Sequence, residues 1–159
     1  MTEITTSKEV SKADILQETL EFYSQDPTRR AAKDKDCHYL MDDGTGRRCA
    51  VGRCLSGSAK TDDDISKYYA GCKGLAAKYG GGSIDNLLAP QYRGFSIDFW
   101  VNLQDLHDIQ ENWTDTGLSE RGLSAVKRIC FRAGIDFKEL DFSSISVPDG
   151  TVTKSDNNL

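Results

Sequence analysis

The chain has 159 residues, 38% of them hydrophobic and 28% charged, which is the size and composition of one globular domain able to bury a core without disulfide staples. No run approaches the roughly 18 apolar residues of a membrane span, and the opening MTEITTSKEVSKAD lacks the apolar stretch of a signal peptide, so the expected location is the cytoplasm. The formal net charge of −5 is unevenly spread: residues 29–53 hold seven basic residues against four acidic ones, a local excess of +3, so the remainder carries −8.

Residues 1–10 are polar and expected to be loose, and the single globular domain is expected over residues 11–142. From Ser11 a helical pattern begins, with Ile15, Leu16, Thr19, Leu20 and Tyr23 on one stripe and a capping box formed by Ser11 and Asp14. The helix is expected to end near Asp26, where Asp26-Pro27 reads as a new N-cap followed by proline at the first helical position.

The stretch CHYLMDDGTGRRCAVGRCL, residues 37–55, centres on the turn signal DDGTG between two segments of moderate strand character. It predicts a β-hairpin in which Met41 faces Arg47, Tyr39 faces Cys49 and Cys37 faces Val51, leaving one apolar face for packing.

Beyond it, TDDDISKYYAGCKGLAAKYGGG predicts one helix capped by Thr61 and closed by Gly80, with a kink where Gly71 and Gly74 weaken it. SIDNLL predicts a short turn before Pro90. SIDFWVNLQDLHDIQENW predicts a helix capped by Ser96 that runs to Trp113, with Phe99, Leu103, Leu106 and Trp113 on its buried stripe. LSERGLSAVKRICFRAG predicts a last helix, capped by Ser119 and closed by Gly134. Residues 143–159 lack periodicity and are expected to be disordered or draped over the surface. The fold class expected is α+β: mainly helical, with four or five helices and one β-hairpin.

Five cysteines, Cys37, Cys49, Cys54, Cys72 and Cys130, are expected as thiols in a reducing compartment. Zinc would draw on Cys37, Cys49, Cys54 and Cys72, but their separations of 12, 5 and 18 positions contain no C-x2-C knuckle. A nucleophilic cysteine has arginine neighbours at Cys49 and Cys54, yet only two histidines, His38 and His107, are available as bases, and His107 adjoins an apolar stripe.

Arginines form the third candidate site. Arg29, Arg30, Arg47, Arg48 and Arg53 could present guanidinium forks to phosphate oxygens or to acidic side chains. No phosphate-binding glycine loop of the G-x-x-x-x-G-K-[ST] or G-x-G-x-x-G type is present, and the overall acidity argues against long nucleic-acid tracts. Asp62, Asp63, Asp64, Asp98, Asp105, Asp108, Glu111 and Asp115 offer an acidic surface for a basic partner, at a charge density low for a nucleic-acid mimic.

EFYSQDPTRRA, CHYLMDDGTGRRCAVGRCL and YRGFSIDFWVNLQDLHDIQENW together resemble an uncharacterised family of small bacteriophage and prophage proteins, marked by a C-x-Y turn followed by G-x-x-C-A-V-G-R-C-L. The resemblance covers residues 20–134. It implies a viral protein acting in the bacterial cytoplasm and transfers no catalytic or binding residue. The function expected is a phage-encoded, non-enzymatic binding protein that modulates a host process or host defence by binding a protein or a small phosphorylated ligand. No cofactor is expected, and the contact surface expected is Arg29, Arg30, Arg47, Arg48 and Arg53. The competing expectation is a thiol- or zinc-dependent enzyme centred on Cys49, Cys54 and His38.

Overall fold

The computed structural model describes residues 9–26, 32–33, 36–37, 39, 47–66, 71–79 and 81–148. Helix α1 (Lys12–Gln25) opens on the expected capping box: Ser11 Oγ accepts the Asp14 amide, and the Asp14 carboxylate accepts the Ser11 amide at 2.9 Å. Its stripe of Ile15, Leu16, Thr19, Leu20 and Tyr23 is buried. Asp26, in extended conformation, ends it as expected.

Residues 47–55 depart from the predicted hairpin. Gly52–Cys54 is a turn of 3-10 helix. The amide of Arg53 bonds to the Cys49 carbonyl at 3.0 Å and that of Cys54 to the Val51 carbonyl at 2.9 Å. Backbone groups here satisfy one another within the segment, so they are not offered across a ladder. The backbone of Tyr39 lies against Gly52, three positions from its predicted partner Cys49. Among the described residues the one strand pairing is a two-residue antiparallel contact, Ala32↔Cys37 and Lys33↔Asp36, upstream of the predicted turn. The remaining bridges are isolated ones, such as Leu55↔Leu88. The fold is therefore mainly helical and not α+β with a β-hairpin. The alternating apolar residues that suggested a strand, Cys49 and Val51, are buried together with Ala50 between them, which is helical-turn burial and not period-two burial.

The predicted helix from Thr61 is also divided. Helix α2 (Gly57–Thr61) takes Ser56 as its cap, so Thr61 closes a helix instead of opening one. Asp62 caps the next helix, α3 (Asp63–Ser66): its Oδ1 accepts the amides of Asp64 at 2.9 Å and Ile65 at 3.2 Å. Helix α4 (Cys72–Tyr79) begins just after Gly71, and a 3-10 turn at Asp85–Leu87 occupies the SIDNLL segment.

Helix α5 (Ile97–Asp108) has the expected Ser96 cap but ends at Asp108, where Ile109 turns extended and a 3-10 turn, Gln110–Asn112, leads to Trp113. The break is stabilised from outside the helix. The Leu106 carbonyl accepts both Asn112 Nδ2 at 3.1 Å and Trp113 Nε1 at 2.9 Å. Helix α6 (Glu120–Ala133) has both expected caps: Ser119 Oγ accepts the Gly122 amide, and Gly134 closes it in the left-handed region at φ 70°.

Helices α4, α5 and α6 pack side by side, and α1 and residues 47–55 cover the remaining side of one core centred on Trp100, Leu103 and Leu106. The packed chain continues beyond Phe142, because Ile145 is buried and the Ser146 carbonyl accepts the Leu118 amide at 2.9 Å. Among the described residues, no helix is long and apolar enough to cross a membrane.

Candidate functional site

Residues 47–55 are held from two sides. Tyr23 on α1 donates its hydroxyl to the Arg48 carbonyl at 2.5 Å. Gln104 on α5 accepts the Val51 amide at 3.3 Å and donates to Asp108 Oδ1 at 2.8 Å. The same Asp108 oxygen lies 2.8 Å from His107 Nδ1, and the fully buried His107 ring packs against Tyr23 with centroids 4.8 Å apart. His107 is thus a core histidine tied to a carboxylate.

From this clamped segment Arg53 reaches α1. Arg53 Nη1 meets Glu18 Oε2 at 3.2 Å, and its Nη2 donates to Thr19 Oγ1 at 3.0 Å. The Arg53 side chain is 14% exposed, and its guanidinium lies 5.9 Å from the Phe22 ring centre. The same Glu18 oxygen accepts the Tyr92 hydroxyl at 3.1 Å. Arg48 is partly buried, and its Nε, shielded from water, finds no hydrogen-bond partner among the described residues.

Lys60, at the end of α2, completes a group of three cations. Burial lowers its pKa from the ordinary lysine value, and the charge of Arg48 lowers it further, with Arg53 acting the same way. The three cations are thus near enough to feel one another, and among the described residues the carboxylate in contact with Arg53 is Glu18.

Of the five arginines expected at the contact surface, Arg48 and Arg53 come together there, and Arg47 is partly buried beside Arg48. Arg29 and Arg30 lie outside the described residues, as does His38. Sequence reasoning missed Glu18, Tyr92 and Lys60. Thr19 and Tyr23 were the available signal, since a hydroxyl on a buried stripe requires a polar partner reaching in from another segment.

The cysteines are arranged for packing. Cys49, Cys54 and Cys72 are buried, while the Cys37 side chain lies outside the described ones. Cys54 Sγ donates to the Ala50 carbonyl at 3.5 Å and Cys72 Sγ to the Trp100 carbonyl at 3.8 Å, roles that need the protonated thiol. Burial pushes both up to about 12, Arg53 only partly opposing this at Cys54. Among the described residues no group of three His, Cys, Asp or Glu side chains could hold a metal ion.

Several acidic residues of the alternative surface have local partners instead. Asp62 caps α3, Asp98 meets Lys73 at 3.6 Å, and Asp108 serves His107 and Gln104. A groove of about 1030 Å³ between the start of α1, residues 90–95 and the end of α6 is lined by Lys12 and Arg93 as well as Glu9 and Glu139, so it selects neither sign of charge. No protein-family model, no curated protein and no solved structure matches the chain.

Proposed function

We propose that this protein is a non-enzymatic binding protein that takes a phosphate- or carboxylate-bearing partner at Arg48, Arg53 and Lys60. The observation that carries the reading is the buried Arg48 Nε, which has no partner among the described residues, in a cluster where Glu18 already serves Arg53 and Tyr92. A guanidinium satisfies a planar oxyanion with two parallel bonds, which suits a phosphorylated ligand or an acidic side chain of a protein. In this reading the protein is a phage-encoded modulator that acts on a host process or a host defence by stoichiometric association in the bacterial cytoplasm.

Thiol catalysis gains no support from the site. A nucleophilic cysteine needs a lowered pKa and access, whereas Cys54 is buried and pushed up to about 12.

The test begins with the full chain purified from bacterial lysate. Small molecules released on denaturation are analysed for phosphorus by mass spectrometry, and co-purifying proteins are identified for wild type and Arg48→Glu. A phosphorylated compound or an acidic protein that is held by wild type and lost from Arg48→Glu is the expected result. Equal retention by both chains would overturn the assignment of the surface.

A further inference from the structure

The outward side of α6 forms a second charged surface, separate from the Arg48 cluster. At 3.6 residues per turn, Arg121, Ser124, Lys127, Arg128, Phe131 and Arg132 share one side of the helix, and all six are exposed. The opposite side, from Leu123 to Cys130, faces the core. With Glu120 the only acid on the exposed side, the strip carries four cations in a chain whose net charge is −5. Attraction to the helix dipole accounts for a cation in the last turn but not for Arg121 at the beginning. Arg128 and Arg132 stand four apart, a spacing at which like charges weaken a helix.

Phe131 is 89% exposed, the one large apolar side chain left in water among the described residues. Isolated apolar residues are common on surfaces. Arg128 stands three positions before it on the preceding turn, and the Lys127 ammonium beside it on that turn lies 5.4 Å from the Phe137 ring centre, so the apolar knob sits within a basic strip.

The strip is also narrow. It is one helix wide, about 10 Å; on the α5 side it meets Asp98 and Asp105, the latter close enough to feel the charge of Arg132, and beyond the end of α6 Asp136 and Glu139 flank Lys138 while Lys12 reaches the Ala133 carbonyl. A nucleic-acid duplex or an anionic membrane would lay phosphates over those carboxylates as well as over the strip. A single acidic helix would meet the cations alone.

We propose that the exposed face of α6 docks an acidic amphipathic helix of a partner protein, seating Phe131 among its apolar residues and setting Arg121, Lys127, Arg128 and Arg132 against its carboxylates.

The probe is a fluorescent synthetic helical peptide with glutamates along one face and leucines between them. Its comparators are the lysine-for-glutamate peptide, a duplex oligonucleotide and phosphatidylserine-containing vesicles. Fluorescence anisotropy with the full chain is expected to show saturable binding of the acidic peptide. Phe131→Ala, and separately the double variant Lys127→Glu/Arg128→Glu, should each weaken it about tenfold. Binding lost in Arg48→Glu but kept in both α6 variants would assign the peptide to the Arg48 cluster instead and overturn the proposal. These side chains are exposed, and melting curves verify that the variants fold. Absence of saturable binding, binding insensitive to the α6 variants, or tighter binding of the oligonucleotide or vesicles than of the acidic peptide would each overturn the proposal.

Discussion

Gly52 stands in the middle of the CAVGRCL stretch, and replacing it with alanine probes how that stretch is built. A Cβ placed on Gly52 would be driven onto the carbonyl oxygen of Tyr39 and would sit 2.7 Å from its carbonyl carbon. Backbone, unlike the tip of a flexible side chain, cannot swing aside. Residues 47–55 would have to move away from Tyr39 while still held by Tyr23 and Gln104. Overpacking of this kind costs about 1–3 kcal/mol. Alanine also restricts the unfolded chain, which returns about 0.4–1 kcal/mol. Because the overlap is with rigid backbone, the upper half of the overpacking range, about 2–3 kcal/mol, applies, and the net expectation is a loss of about 1–2.6 kcal/mol, or a fall of roughly 2–10 °C in Tm for a chain of this size. Gly57 serves as the control, because nothing lies within 4 Å of its Cβ position and it sits in the first turn of α2. Gly57→Ala should gain a few tenths of a kcal/mol up to about 1 kcal/mol. Urea denaturation monitored by tryptophan fluorescence measures both. If Gly52→Ala is as stable as wild type, the close approach of Tyr39 to the 3-10 turn is refuted.

Thiol titration at pH 8 should find Cys49, Cys54 and Cys72 unreactive until denaturant is added, since all three are buried and Cys54 and Cys72 are pushed up to about 12; rapid labelling of Cys54 in the folded protein would contradict this. Arg53→Ala should cost about 2 kcal/mol by removing charged hydrogen bonds to Glu18 and Thr19, whereas Arg48→Met should be neutral or stabilising, because an unsatisfied buried donor is removed; paired urea curves decide. Asp105 is held above the usual carboxylate value by burial and by Asp108, with Arg132 opposing. A carboxyl raised on folding contributes stability below its ordinary pKa and loses it as pH rises through the folded value, so Asp105→Asn should stabilise the protein at pH 7 and not at pH 3. Melting temperatures across that range test it, and an equal effect at both pH values would be contrary.

The parts of the fold that were legible in the sequence are those where a local signal acts alone. Ser11 with Asp14, Ser96, and Ser119 with Gly134 mark helix ends because the cap is made by residues a few positions apart. The parts that were not legible depend on distant groups. Helix α5 stops at Asp108 although the apolar period runs on to Trp113, because Asn112 and Trp113 fold back onto the Leu106 carbonyl. The hairpin expected at residues 37–55 was inferred from a turn signal and alternating apolar residues. Burial of Cys49, Ala50 and Val51 in succession between α1 and α5 instead favoured a helical turn. In the proposed site, Arg48 and Arg53 stand close in the sequence, while Glu18, Tyr92 and Lys60 come near them from segments whose proximity only tertiary packing creates.

The most direct measurement is a calorimetric titration of the full chain with inorganic pyrophosphate at low ionic strength, comparing wild type with Arg48→Glu. Saturable binding by wild type, weakened about tenfold or more when one guanidinium of the cluster is reversed, is the expected result. Equal binding by the two chains, or none by wild type, would contradict an anion site at Arg48, Arg53 and Lys60.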